Sequence, residues 1–238
     1  MRVAVVSDIH ANLAALEAVL AAIDASPPDE IWCLGDIVGY GARPNECCAL
    51  VRERATVCLG GNHDLAVRGT IDLRDFSGDA GVAAKWTTGV IDEESLAFLQ
   101  TLDVQGTAHG IALYHGSARD PIWEYVLSDD AAAVTLMLTD APTVLVGHSH
   151  VALGVSSTLS GGFAPQGTTI DLAAARWLLN PGSVGQPRDG DPRAAYLTLD
   201  LETHTASFER VEYDIPRTQA EIRAAGLPEV LAHRLETG

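Results

Sequence analysis

Lysine is almost missing. Lys85 is the only one in 238 residues, and the formal net charge is −17. No segment carries a stripe of basic residues, so stable binding to nucleic acid or to an anionic membrane by charge attraction is not expected. An acidic surface serves solubility first, and it also attracts cations. Cysteine is scarce: Cys33, Cys47, Cys48 and Cys58 are the whole set, with neither a C-x-x-C nor a secreted disulfide spacing. Cys33 and Cys58 lie in apolar runs and read as small buried hydrophobes. No uninterrupted apolar stretch reaches 18 residues, so no membrane-spanning helix is expected. The apolar run after Met1-Arg2 is broken by Asp8, too early for the core of a signal peptide. The cytoplasm is the expected compartment. Internal repeats and low-complexity linkers are missing as well.

What remains is the composition of a globular chain, 47% apolar and 20% charged, long enough to bury a sizeable core as a single domain over 1–238. "RVAVVS", "IWCLG" and "TVCLGG" read as strands. Between them "ANLAALEAVLAAIDA" and "RPNECCALVRERA" read as helices, the second with Pro44 in its first turn. This β-α-β-α-β alternation implies a mostly parallel sheet covered by helices. From Asp64 to about residue 100 the pattern is helical, with breaks expected at Gly69, Gly78 and Gly89. "GIALYHG" and "TVLVG" are further strands, separated by a helix over "SDDAAAVTLML" with Ser128 as N-cap. Five short strand-like runs follow, from "ALGVSST" to "TASFERVEYD". Two closing helices are expected, at 216–225 and 228–236. "SGGFAPQG" reads as a surface loop.

Every strand in the first part of the chain ends in polar residues. "VAVVS" delivers Asp8 and His10, "IWCL" Asp36, "TVCLG" Asn62, His63 and Asp64, "IALY" His115, and "TVLV" His148 and His150. In parallel α/β sheets, ligands bind beyond the carboxyl ends of the strands. Residues i and i+2 of an extended segment face the same side, which would pair Asp8 with His10 and His148 with His150. Carboxylate, imidazole and carboxamide oxygen suit Mn²⁺, Fe²⁺, Zn²⁺ or Co²⁺, and without a thiolate a structural zinc site is not expected. Taken singly, Asp8 and Asp36 could be helix caps and Asn62 a turn residue. Five such groups in order favour ligation.

The order D-x-H, G-D, G-N-H-D, H, G-H-x-H, from Asp8 to His150, resembles the calcineurin-like metallophosphoesterase superfamily. "NPGSVGQPR" at 180–188 is similar to its bacterial branch of small phosphodiesterase-like members. The resemblance implies a four-layer α/β/β/α sandwich, with two mixed sheets flanked by helices, and two divalent metal ions. One ion would take Asp8, His10, Asp36 and His150. The other would take Asp36, Asn62, His115 and His148, with Asp36 shared. It further implies in-line attack by a hydroxide bridging the ions. His63 would contact the phosphate and protonate the leaving group, and the substrate would be a small phosphorylated molecule. A phosphodiesterase is favoured, with a phosphomonoesterase or nucleotide pyrophosphatase as the alternative. An interaction scaffold of this fold is the alternative of another class.

The chain departs from the pattern in one place. Protein Ser/Thr phosphatases and diadenosine tetraphosphate hydrolases read G-D-x-V-D-R-G, and here the stretch is "GDIVGYGARP". Gly39 and Tyr40 stand where the Asp that supports the catalytic histidine and the Arg that grips phosphate would be, which counts against protein phosphatase activity. Asn180, Ser183 and Arg188 have two open readings: a surface turn, or a loop in which Arg188 contacts the substrate phosphate. Trp123 and Tyr125 read first as buried packing and second as pocket lining. His109 falls at the wrong end of its strand, and His204 and His233 have no partner pattern. All three read as surface residues. Oligomeric state has no signature.

Overall fold

The computed structural model describes residues 1–76 and 78–238. Two six-stranded mixed sheets lie face to face, flanked by helices. In the first, β1 (Arg2–Val6) is flanked by β2 (Glu30–Cys33) and, beyond it, β3 (Val57–Cys58), both parallel. Its other neighbour is the antiparallel β11 (Ala194–Asp200), followed by β12 (Thr205–Val211) and β9 (Thr169–Asp171). In the second, the parallel trio β5 (Ile111–Tyr114), β6 (Thr143–Leu145) and β10 (Trp177–Pro181) is edged on one side by β4 (Gln105–Ala108). On the other side lie β7 (Ala152–Ser156) and β8 (Gly161–Phe163).

The central strands are apolar throughout because both of their faces are buried. Alternation divides their side chains between layers. Val3 and Val5 pack with Leu113, Leu145, Leu179 and Phe208 between the sheets. Ala4 and Val6 turn outward onto α1 (Leu13–Asp24) and α2 (Pro44–Arg54). Ala112 and Val144 turn outward from the second sheet onto α6 (Asp129–Met137). The closing helices α7 (Ile215–Ala224) and α8 (Glu229–His233) pack Ile222 and Leu231 with Ala83 of α4 (Gly78–Val90). Asn12 caps α1 by accepting from the Ala15 N–H at 3.2 Å, while its amide donates to Gly185 O at 2.9 Å. One side chain thus ties a helix start to a distant loop. Among the described residues no helix is long and apolar enough to cross a membrane.

The expected strands and helices are present, with five differences. "SGGFAPQG" contains the edge strand β8, and the polar "QGTA" forms β4. Gly89 does not break α4, which continues to Val90 before α5 (Glu93–Gln100) begins. The 62–67 segment is itself the short helix α3 (Asn62–Val67). The "NPGSVGQPR" stretch is no surface turn: Asn180 and Ser183 are fully buried.

Candidate metal centre

β1, β2, β3, β5 and β6 all stop just before their polar residues, and the loops beyond them converge. Asp8, His10, Asp36 and His150 bring ligand atoms within 4.8 Å of one another, and so do Asp36, His115 and His148. All are buried. Asp36 is common to both groups: its Oδ2 lies 3.6 Å from His10 Nε2 and 3.5 Å from His115 Nε2. Asn62 Oδ1 is 3.2 Å from His115 Nε2. The seven residues expected to hold the two ions do come together. The extended geometry expected for their pairs does not occur. Asp8, His10, Asp36, His148 and His150 all have left-handed backbone, with φ between 51° and 62°. The chain curls at each ligand instead of running straight.

Each histidine is turned by a backbone carbonyl. His10 Nδ1 faces Val38 O at 3.1 Å, His115 Nδ1 faces Leu34 O at 2.9 Å and His150 Nδ1 faces Gln186 O at 2.6 Å. His148 Nε2 faces Trp123 O at 3.3 Å. A carbonyl only accepts, so the proton sits on that ring nitrogen, and at His10, His148 and His150 the other nitrogen is left bare toward the cluster. The consequence is sharp at His10 and His150, whose Nε2 atoms lie 2.9 Å apart with no proton assigned between them. Asp8 Oδ1 is 3.3 Å from His150 Nε2 and has no hydrogen bond at all. Lone pairs converging in a buried space fit a cation, and carbonyl-oriented imidazoles are the usual outer support of metal ligands. The residues present therefore fit a pair of divalent ions.

Charge states agree with this. His10 is held well below the usual imidazole value, by burial first and by His150 second. Burial likewise pushes His148 down to about 3. Asp36 stays ionised: burial favours its neutral form, but the neighbouring His115 and His63 outweigh that and hold it well below the usual carboxylate range. His115 is the exception. Burial pulls it down, yet Asp36 and Asp8 beside it raise it to about 9. A proton there does part of what a cation would do.

Outside the ligands, His63 is buried. Its N–H donates to Asp36 Oδ1 at 2.9 Å, and its ring packs against Tyr40 and His10. Its Nδ1 has no partner. It faces Gly39, where any Cβ would come within 2.3 Å of Nδ1, and Gly39 also has φ +91°. The site that would hold a supporting acid thus holds a bare glycine, and burial pushes His63 down to about 4. Arg188 points its Nη2 at Gln186 Oε1 (3.0 Å) and Tyr40 OH (3.4 Å), and among the described residues it has no acidic partner. It lines a cleft of about 240 Å³ that opens onto the cluster, together with His63 and Asn62. The loop behind it is pinned by the buried Arg210–Asp189 pair. His109, His204 and His233 lie outside, all exposed.

Three residues whose roles the sequence left open hold the ligand loops. Asp64 is buried and accepts the N–H groups of Gly61 (2.9 Å), Val38 (3.1 Å) and Ile37 (3.2 Å). It thereby clamps the Asp36 loop to the Asn62 turn. Its place three residues after Gly61, as in a capping box, was a usable signal. Ser183 donates to Asp8 O at 2.7 Å and Asn180 to Gly147 O at 2.7 Å, so both hold ligand loops. Trp123 and Tyr125 are 37% and 47% exposed at the cleft, which overturns their reading as buried packing.

Metal added at a hundredfold excess over its Kd should contribute about 2.7 kcal/mol, or a Tm rise of about 5–10 °C for a chain of this size. Superimposable melting curves with Mn²⁺ and with chelator would contradict the fit.

The chain matches the model of the calcineurin-like phosphoesterase superfamily domain over residues 1–204. It is 39% identical over 241 residues to an uncharacterized protein of Methanocaldococcus jannaschii, covering 99% of this chain and 98% of that one. It is similar to the crystal structure of a metallophosphoesterase from Sphaerobacter thermophilus, with a TM-score of 0.91 and 43% identity, over 100% and 99% of the two chains. A segment of 71 residues, 28% of this chain and 26% of the other, is 37% identical to the symmetrical bis(5'-nucleosyl)-tetraphosphatase of Actinobacillus pleuropneumoniae.

Proposed function

The chain belongs to the calcineurin-like phosphoesterase superfamily, and from that premise we propose that it acts, as a single domain, as a dinuclear metal-dependent phosphodiesterase on small substrates. The observation that carries the metal requirement is the approach of the bare His10 and His150 Nε2 atoms to 2.9 Å beside the unpartnered Asp8 Oδ1. Asp8, His10, Asp36 and His150 would hold one ion, and Asp36, Asn62, His115 and His148 the other. When bound, such ions acidify a water into a nucleophile and neutralise phosphoryl oxygens.

The chain's own groups do the rest. Arg188, fixed through Gln186 and Tyr40, presents a guanidinium to a phosphate oxygen. Asn62 and His63, beside it in the cleft, contact the phosphate. His63 hands a proton to the departing oxygen. The preference for diesters is supported by charge. Arg188 is the one Arg or Lys among the described residues lining the cleft. A single guanidinium suits the monoanion of a diester better than the dianion of a monoester. The absence of a second arginine, with Tyr40 in that place, points the same way.

A second reading, a nucleotide pyrophosphatase, is favoured by the 71-residue match to a tetraphosphatase. A panel of mono-, di- and pyrophosphate esters assayed side by side with Mn²⁺ separates these readings. Bis-p-nitrophenyl phosphate should exceed p-nitrophenyl phosphate in kcat/KM by tenfold or more. The reverse order would sink the diester assignment. Two bound ions without turnover of any ester would favour the scaffold instead.

A further inference from the structure

Phe, Trp and Tyr make up only 5% of the chain, yet four of them converge on the mouth of the metal cluster. Tyr40, Phe76, Trp123 and Tyr125 all line the cleft of about 240 Å³. Among the other aromatics, Phe163 on the edge strand β8 is 77% exposed and stands alone, while Trp32 is fully buried and Phe208 is 2% exposed. Trp123 and Tyr125 are not used that way, at 37% and 47% exposed. Leaving such surfaces in water forgoes apolar burial, so their presentation needs a cause.

Their geometry supplies one. Phe76 packs edge-on against Trp123, with centroids 5.3 Å apart, and against His63 at 4.9 Å. Tyr125 lies flat on the His148 ring, with centroids 4.2 Å apart and planes 5° apart. The Trp123 carbonyl is the same group that orients His148. The wall is therefore attached to the metal-ligand shell, and a phosphoester held there would have its alcohol part against aromatic faces. Asp75 lines the same cleft and offers an acceptor to an exocyclic amine. That feature favours a nucleobase over a plain hydrocarbon ring.

We infer that Trp123, Phe76 and Tyr125 form a base-stacking wall, and that the substrates are phosphoesters of nucleosides. The inference rests on the phosphoesterase reading and adds the substrate class. Stacking tolerates every base because each has a π-face, and removing one aromatic partner weakens binding by about five- to 150-fold per base.

The test is equilibrium binding, by calorimetry on the Mn²⁺-loaded protein, of AMP and of ribose 5-phosphate. Both carry the phosphate of a cleaved diester, and only AMP carries a base. AMP should bind at least about tenfold more tightly. In Trp123→Ala that ratio should collapse toward one, and Trp123→Phe should restore most of it. Equal affinity of the wild type for both ligands would overturn the inference, as would an unchanged ratio in Trp123→Ala. Phenyl phosphate binding as tightly as AMP would overturn the nucleoside assignment. The two readings fail separately. If no phosphoester is hydrolysed but AMP still outbinds ribose 5-phosphate, the hydrolase reading falls and the wall stands. If esters are hydrolysed and the two ligands bind alike, only the wall falls.

Discussion

Asp36→Ala is expected to lose both ions and to reduce hydrolysis to the level of chelated protein. Among the described residues Asp36 is the one shared by both ligand groups, with Oδ2 3.6 Å from His10 Nε2 and 3.5 Å from His115 Nε2. Loss of an outer-shell partner alone costs metal affinity about 10–100-fold, and removal of a shared ligand should exceed that at both positions. The substitution also strips the acceptor for the His63 N–H, so a folding control is needed. Asp36→Asn keeps an oxygen for that hydrogen bond and replaces Oδ2, with its charge, by an amide nitrogen that cannot ligate. Elemental analysis, the hydrolysis rate and a melting curve in chelator would be read on both variants. Asp36→Asn should melt near the chelated wild type while retaining little metal. Retention of one full ion in either variant would show that Asp36 serves a single site.

His63→Ala should behave in the opposite way, keeping both ions and slowing hydrolysis about 10²–10⁴-fold, the usual span for a lost general acid. No coordination bond would be removed, since His63 stands outside both ligand groups and its Nδ1 faces Gly39. With the imidazole pushed down to about 4 by burial, it is neutral at pH 7 in the protein alone. An anionic phosphoester in the cleft would favour its protonated form. The defect should shrink for a nitrophenolate leaving group, which departs with little help. Measured metal content, with rates on a poor and a good leaving group, decides the role. Loss of metal would make His63 a ligand. Equal slowing of both substrates would make it a stabiliser of phosphate charge.

The strand ends were legible because a strand buried on both faces must be apolar, so the first polar residue after each run marks where the chain leaves the sandwich. Asp36, Asn62, His115 and His148 are the first polar residues after their runs and Asp8 follows Ser7 after the first; the five together, not any one, carry the reading. β8 was not legible: "GGF" is three residues of a glycine-rich edge with no alternation to read. The burial of Asn180 and Ser183 was hidden for a different reason. Turn-forming residues look the same whether they face water or hold another loop's carbonyl. The carbonyls of Val38, Leu34, Gln186 and Trp123 that aim the histidines have no side-chain signature at all. The resemblance could assign ligands but not the exposure of Trp123 and Tyr125, because no residue pattern states what lies uncovered in front of an aromatic ring.

The left-handed turns at Asp8, His10, Asp36, His148 and His150 bear on how much change the chain tolerates elsewhere. A residue with a Cβ held in that conformation costs about 1 kcal/mol or more. Five such residues together approach the low end of the net stability of a whole domain, about 5–15 kcal/mol. The interior between the sheets must offset that strain before it stabilises anything else. A core truncation such as Leu145→Ala, at a fully buried position, would add about 2–5 kcal/mol of loss to that strain in the metal-free chain. Newly made protein waiting for its ions would be the state in which inherited defects become visible first.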